Sequence, residues 1–362
     1  MKPWQVAWGF GVLVFLGEWL GGRASDFAVY HHAAQTWAAH PADWAAVYVA
    51  QDLTPYKYHP ATLFFFAPFG LMPWAAARFC FALLDGLLAA DTARRWLQGS
   101  AVPRLFLLSI FFCVHALSWQ FKFCNITVVM LWLFTCAIHS PRVRTRGVCT
   151  ALLILFKPFW LILLPVWALR RHWRVLAWTA AVCTALSALP AVVTPDITLA
   201  YRPWFAVLAD PMNAHNFPKH DNQSWFAWAH RHAGASATWV AFGGNALFGA
   251  VWLAWIWRRR NAPGAHALAL ASAALPLLWV GPLSWIHHGL LLLPLFFLLL
   301  SARISAAVLA VVWVCLNGTG ELLATRPGFV WTHTWGIPLA GLVLLLGACF
   351  TVDDKIGRQQ TR

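Results

Sequence analysis

Apolar runs of roughly 20 residues recur along this chain, and short clusters of arginine punctuate them. A run of that length matches the hydrocarbon thickness of a bilayer, and a helix of that length satisfies its own backbone there. Hydrophobic residues make up 60% of the 362 positions and charged residues 10%, with a mean hydropathy of +0.63. Soluble domains are about 45–50% apolar and about 25% charged. The chain therefore reads as an all-α polytopic membrane protein, a single integral domain over residues 1–362 with no soluble part.

The formal charge of +14 would suit a nucleic-acid binder, but its distribution does not. Arg94-Arg95, Arg142/Arg144/Arg146, Arg170-Arg171/Arg174, Arg258-Arg259-Arg260 and Lys355/Arg358 each sit between apolar runs, which is the positive-inside pattern of membrane proteins. No nucleic-acid partner is expected. The clusters set the sides. An uncleaved first span, about 4–20, leads to an outer loop over 21–60. Ser25 is placed to cap a helix over about 27–39, and Asp43 a short one through Tyr48. Phe27, Tyr30, Trp37, Trp44 and Tyr48 suggest that these helices lie on the membrane surface. Pro68 and Pro73 break residues 61–92 into a dipping segment and a full helix. Residues 105–119 and 126–139 form a hairpin with its tip at 120–125. Lys157-Pro158 splits residues 147–169 into a rising and a returning helix. A second outer loop covers 194–235, and spans near 236–257, 265–283, 287–300, 304–319 and 336–352 follow. The eight cysteines show no Cys-x-x-Cys or zinc spacing and read as small hydrophobes.

The distinctive polar residues gather at the outer ends of these runs. Asp26 is an acid just past the first span; it can take a proton from an attacking hydroxyl, or simply complement a helix N-terminus. His287 and His288 follow Ser284-Trp285, and one of them could share or orient the proton of a carboxylate; packing at the interface is the plainer role. Lys157 is an intramembrane cation beside a proline, a placement an anionic ligand justifies better than snorkelling does. Lys122, Arg202 and Arg23 are further outer cations, each equally suited to a solvated edge. Gln120, Asn125, Asn222, Gln223 and Ser224, with the aromatic Tyr30, Tyr58, Trp119, Trp225 and Trp285, could read a sugar or merely cap helices. His31, His32 and His59 could meet in space, but no metal-ligand spacing appears, so no metal site is expected. The acidic pair Asp353-Asp354 lies in the inner tail, and no Asp-x-Asp stands on the outer side.

The order Asp26-x-x-x-Tyr30, Tyr58-x-Pro60, Pro68, Leu71-x-Pro73, Gln120 to Asn125, Lys157-Pro158 before Leu164-Pro165 and Arg170-Arg171, Asn222-Gln223-Ser224, then Ser284-Trp285-x-His287-His288 before Leu293-Pro294 resembles glycosyltransferase family 87. The resemblance implies a GT-C-type helical bundle of roughly ten to thirteen membrane segments with a short-helix first outer loop. It implies a sugar donor linked to polyprenyl phosphate, a glycan or glycolipid acceptor, and contact with membrane lipids. It implies transfer of a hexose or pentose, mannose first, with inversion. Asp26 takes the role of base with His287 or His288. Tyr30, Tyr58, His59, Gln120, Asn125, Lys157, Arg202, Asn222, Gln223, Ser224 and Trp285 would bind substrate. No cofactor is required, and a divalent metal is optional. The location implied is a bacterial cytoplasmic membrane, with the site on its outer face. His59 stands where the family often has a second proline, and Trp119 where it often has a glycine, which bears on donor-chain and acceptor contacts. The competing expectation is a transporter or a flippase for lipid-linked sugars. Against it, no internal repeat is visible and the polar groups cluster on one face.

Overall fold

A computed structural model describes residues 1–49, 55–98, 103–209, 222–262, 265–280, 284–317 and 336–360. Asp221 and Pro282, which flank the Asn222-Gln223-Ser224 and Ser284-Trp285 motifs, lie outside them. The described chain is helical throughout, with one isolated bridge between Asn222 and Trp285.

Helix α1, Pro3–Leu20, starts with proline at its first turn, where a missing N–H costs nothing. It packs along α5, Trp74–Leu97. Glycines make that approach possible. A Cβ on Gly11 would stand 2.6 Å from the Gly86 carbonyl and 2.8 Å from Ala90 Cβ, and one on Gly86 would meet Phe15 Cβ at 2.8 Å. Close backbone approach through small residues is the usual means of packing helices in lipid.

Between α1 and α5 lie α2, Ser25–Ala39, α3, Trp44–Tyr48, and α4, Leu63–Gly70. Asp43 caps α3 as expected, its side chain accepting from Ala46 N at 3.1 Å. Helix α2 departs from expectation. Ser25 is its first residue, and the cap is Ala24 in a left-handed conformation, φ 48°. Its aromatic face does not lie on the bilayer either. Phe27, Tyr30, Trp44 and Tyr48 are buried in protein, and Trp44 Nε1 donates to Thr194 Oγ1 at 2.9 Å.

The chain turns by 118° between Pro60–Gly70 and Trp74–Leu97, at the expected Pro73. Helices α6, Pro103–Phe112, and α7, Val114–Phe123, form a second bent pair at 67°, where the sequence suggests an unbroken arm. Helices α8, Thr127–His139, and α9, Val143–Phe156, lead to Lys157, a 3₁₀ turn over Pro158–Ile162, and α10, Leu163–Leu169. Then come α11, Trp173–Ser187, α12, Thr198–Ala209, α13, Trp225–His232, and α14, Ala237–Arg259. The expected span 265–283 is broken into α15, Ala265–Ala271, and α16, Ala274–Val280. A 3₁₀ turn over Ile286–Leu292 precedes α17, Leu293–Ser301, and the bundle ends with α18, Ala306–Asn317, and α19, Ile337–Gln360.

By length and composition, two described helical stretches can cross a membrane alone, Trp173–Val192 and Gly234–Arg259; each bent pair can supply another crossing. Trp173, Trp239, Phe242 and Leu247 are exposed, as lipid-facing side chains must be, while Trp160, Trp167, Trp252 and Trp255 fill the core.

Candidate active site

Asp26 lies in the first turn of α2, partly buried. Its Oδ2 accepts from Asn125 Nδ2 at 2.6 Å. The second hydrogen of that amide goes to Tyr30 OH at 3.1 Å, and Tyr30 OH is paired with Tyr58 OH at 2.7 Å. Asn125 Oδ1 accepts from Thr127 Oγ1 at 2.9 Å, and its main-chain oxygen accepts from Gln120 Nε2 at 2.5 Å. Asn125 is thus fixed on every side, and its aim at Asp26 is fixed with it. Among the described residues, no group donates to Asp26 Oδ1. One carboxylate oxygen is therefore anchored and the other is left for a ligand.

Burial raises the Asp26 carboxyl above the usual aspartate range, and the Asn125 amide and the Lys157 charge pull it partway back. Lys157 acts through space, since the ion pairs among the described residues are those of Asp91 with Arg94 and Arg95. Burial likewise pushes the Tyr30 and Tyr58 phenols up, so both keep their hydrogens.

Lys157 stands at the break between α9 and the 3₁₀ turn. Its Nζ lies 5.7 Å from the Tyr58 ring centre and 5.6 Å from that of Phe159, with His288 Nε2 at 2.6 Å. His288 Nδ1 accepts the Trp285 main-chain N–H at 3.2 Å, as the third residue of a capping box does. The hydrogen of a neutral ring then belongs on Nε2, facing the lysine. Two donors set against each other call for an anion between them, or for loss of a proton from the amine.

His287 is also buried, at 3% exposure, and neither of its ring nitrogens has a hydrogen-bond partner. The structure joins neither histidine to Asp26 by a hydrogen bond; the group that orients Asp26 is Asn125. Asn222, Ser224 and Trp285 serve to lock the segment that leads into α13 onto the histidine turn. Asn222 Oδ1 accepts from Ser284 N at 2.9 Å, Gln223 N donates to Ser284 O at 2.7 Å, and Ser224 caps α13. Gln223 and Trp285 also line a small cavity with Phe112, Phe296 and Leu342, which borders this turn without including Asp26 or Lys157.

His59 and Arg202 stand apart from this centre. His59 Nδ1 accepts from Ala61 N at 3.1 Å, so Nε2 carries the hydrogen and faces Tyr201 OH at 3.0 Å and Ser187 Oγ at 3.3 Å. Burial lowers this imidazole to about 4. Arg202, Lys122 and Arg23 are exposed. His31 donates to the Met72 carbonyl at 3.0 Å, so it does not gather with His59. Sequence reasoning overlooked Lys57, whose charge acts on Lys157, Thr127, which bonds Asn125, and Glu18 and Asp85, which are completely buried.

A fixed carboxylate, a cation and hydrogen-bonding aromatics gathered just after α1 suit group transfer onto a hydroxyl. Residues 56–282 match glycosyltransferase family 87, and the chain belongs to that family. It is a glycosyltransferase. It is 25% identical, over 327 residues, to the polyprenol-phosphate-mannose-dependent alpha-(1-2)-phosphatidylinositol pentamannoside mannosyltransferase of Mycolicibacterium smegmatis, an overlap of 84% of this chain and 78% of that protein. No solved structure matches the chain significantly.

Proposed function

We propose that the protein moves a sugar, mannose first among hexoses and pentoses, from polyprenyl phosphate to a hydroxyl of a glycolipid or glycan at the outer face of the cytoplasmic membrane. Asp26 accepts the acceptor's proton. The acceptor oxygen attacks the anomeric carbon, the bond from that carbon to the phosphate oxygen breaks, and polyprenyl phosphate leaves with inversion. The leaving group departs as an anion and needs positive charge rather than a proton donor. Lys157 supplies that charge, and the donor–donor contact with His288 is relieved when phosphate arrives. His287, buried with both nitrogens unpartnered, is available to the sugar. Tyr30 and Tyr58 complete the polar lining, and a divalent metal is optional.

The observation that carries this reading is the asymmetric Asp26 carboxylate, anchored at Oδ2 by Asn125 and open at Oδ1. The outer-face location is supported by the arginine clusters at the opposite helix ends. Membranes carrying wild type or Asp26→Asn are to be assayed with a panel of polyprenyl-phosphate sugars. The variant should lose about 10²–10⁴-fold in transfer rate and still bind donor. Near-normal transfer by an inserted Asp26→Asn protein would return Asp26 to a helix-terminal role.

A further inference from the structure

Beneath the contact between Asp26 and Asn125 lies a layer of buried polar groups that the proposed reaction does not use. Glu18, near the end of α1, has 0% exposure. Its Oε1 accepts from Gln120 Nε2 at 2.9 Å and its Oε2 from Cys124 Sγ at 3.4 Å. The same Gln120 amide gives its other hydrogen to the Asn125 main-chain oxygen. Cys124, between these anchors, ends α7 in the left-handed region at φ 53°, which costs energy for a residue with a Cβ. The surroundings must hold such a turn in place, and Glu18 holds it at two points. On its other side Arg78 of α5 donates to the main-chain oxygens of Glu18 at 2.9 Å and Gly21 at 3.0 Å, which fixes where the carboxylate emerges. Asp85 of α5 is buried to the same degree. Burying a carboxylate in an apolar helix is expensive, and packing alone does not account for it.

We propose that Glu18 is a positioning residue for the base: through Gln120 and Cys124 it fixes the turn from which Asn125 holds Asp26. The assignment rests on Asp26 acting as the general base. Its distinctive consequence lies in the titration of Asp26. The groups facing Asp26 are the Asn125 amide, the Lys157 charge and the phenols of Tyr30 and Tyr58. Tyr30 accepts from the same Asn125 amide, and of the contacts made to Asp26 itself the one that depends directly on the Glu18 layer is the Asn125 bond. That bond favours the ionised carboxylate, so releasing it raises the pH at which the base is lost.

The test uses full-length enzyme in lipid nanodiscs, with polyprenyl-phosphate mannose as donor and native membrane lipids as acceptor. Glu18→Leu should lower kcat on the order of 10²-fold, with the donor KM unchanged, and move the acid limb of kcat/KM to higher pH. Asn125→Ala should move the limb the same way, and the double variant no further, because both act on one bond. Glu18→Gln keeps an acceptor for Gln120 and should restore most of the rate. If Glu18→Leu does not fold, Glu18→Asp, which keeps a carboxyl group but withdraws it from Gln120, should show the same shift. A folded Glu18→Leu or Glu18→Asp enzyme with the wild-type limb, or a double variant that shifts additively, overturns the positioning role while leaving Asp26→Asn inactive. An active Asp26→Asn enzyme fails the base reading first.

Discussion

The Asp26 carboxyl titrates above the usual aspartate range because burial outweighs both the amide and the lysine. The working form of a base is the ionised one. Transfer should therefore fall on acidification at a pH above the value of about 3.9 for an unperturbed aspartate. For folding the sign is the opposite. A carboxyl with a raised folded value favours the fold below its unfolded value and loses that contribution as pH rises through the folded one. A pH–rate profile beside a pH–stability profile separates the two, and an acid limb at the ordinary aspartate value would show that burial is not felt. Lys157→Met removes a charge-assisted contact worth about 1.5–3 kcal/mol, so donor use should weaken on the order of 10–10²-fold while thermal unfolding stays near wild type. Normal donor turnover by that variant would make Lys157 a snorkelling residue. Asp26, Asn125, Lys157 and the paired histidines were legible because polar groups are scarce in such a chain. Glu18 carried the same signal, an acid inside an apolar run, and was passed over because the reading looked only at the ends of runs. That Arg202 faces outward was beyond sequence, since an outer loop presents its cations to either side.

Helix breaks were legible where a proline or a capping acid marks them. Pro73 turns the chain into α5, Pro158 follows the break at Lys157, and Asp43 starts α3. The bend at Cys113 has no proline to mark it, whereas the break between α15 and α16 is marked by Pro276 in the first turn of α16, which the expected unbroken span over 265–283 left out of account. The burial of α2 was misjudged for a different reason. Its aromatic face suits lipid and protein equally, and the choice is made by partners such as Phe66 and Phe81 far along the chain. The seam between α1 and α5 should tolerate added bulk poorly, whichever helix carries it. Gly86→Leu forces backbone apart and should cost about 1–3 kcal/mol, read as a lower unfolding temperature in detergent. Gly9→Ala meets nothing within 4 Å and should be neutral. Equal effects at the two glycines would mean that close contact between α1 and α5 does not hold the bundle.

At the scale of the whole molecule, the charge pattern supports one functional face. Single cysteines replacing His40 and Arg202, both exposed, should react with an impermeant thiol reagent added to sealed cells, and one replacing exposed Asn261 should not. Labelling of all three alike would dissolve the arrangement of one outer site. That the chain is an all-α membrane protein was legible from composition alone, and the order of its polar motifs pointed to the residues proposed for its site. The site itself is assembled from distant parts of the sequence. Asp26 and its anchor are 99 residues apart, and Lys157 and His288 are 131 apart. A ribosome delivers the chain from Asp26 to the histidines over on the order of tens of seconds. Throughout that interval Asp26 and Glu18 are already in the membrane without the groups that complete the site. On the proposed assignment of the site the nascent chain cannot carry out transfer until its closing helices have been inserted, so turnover is withheld from every unfinished copy by the order of synthesis alone.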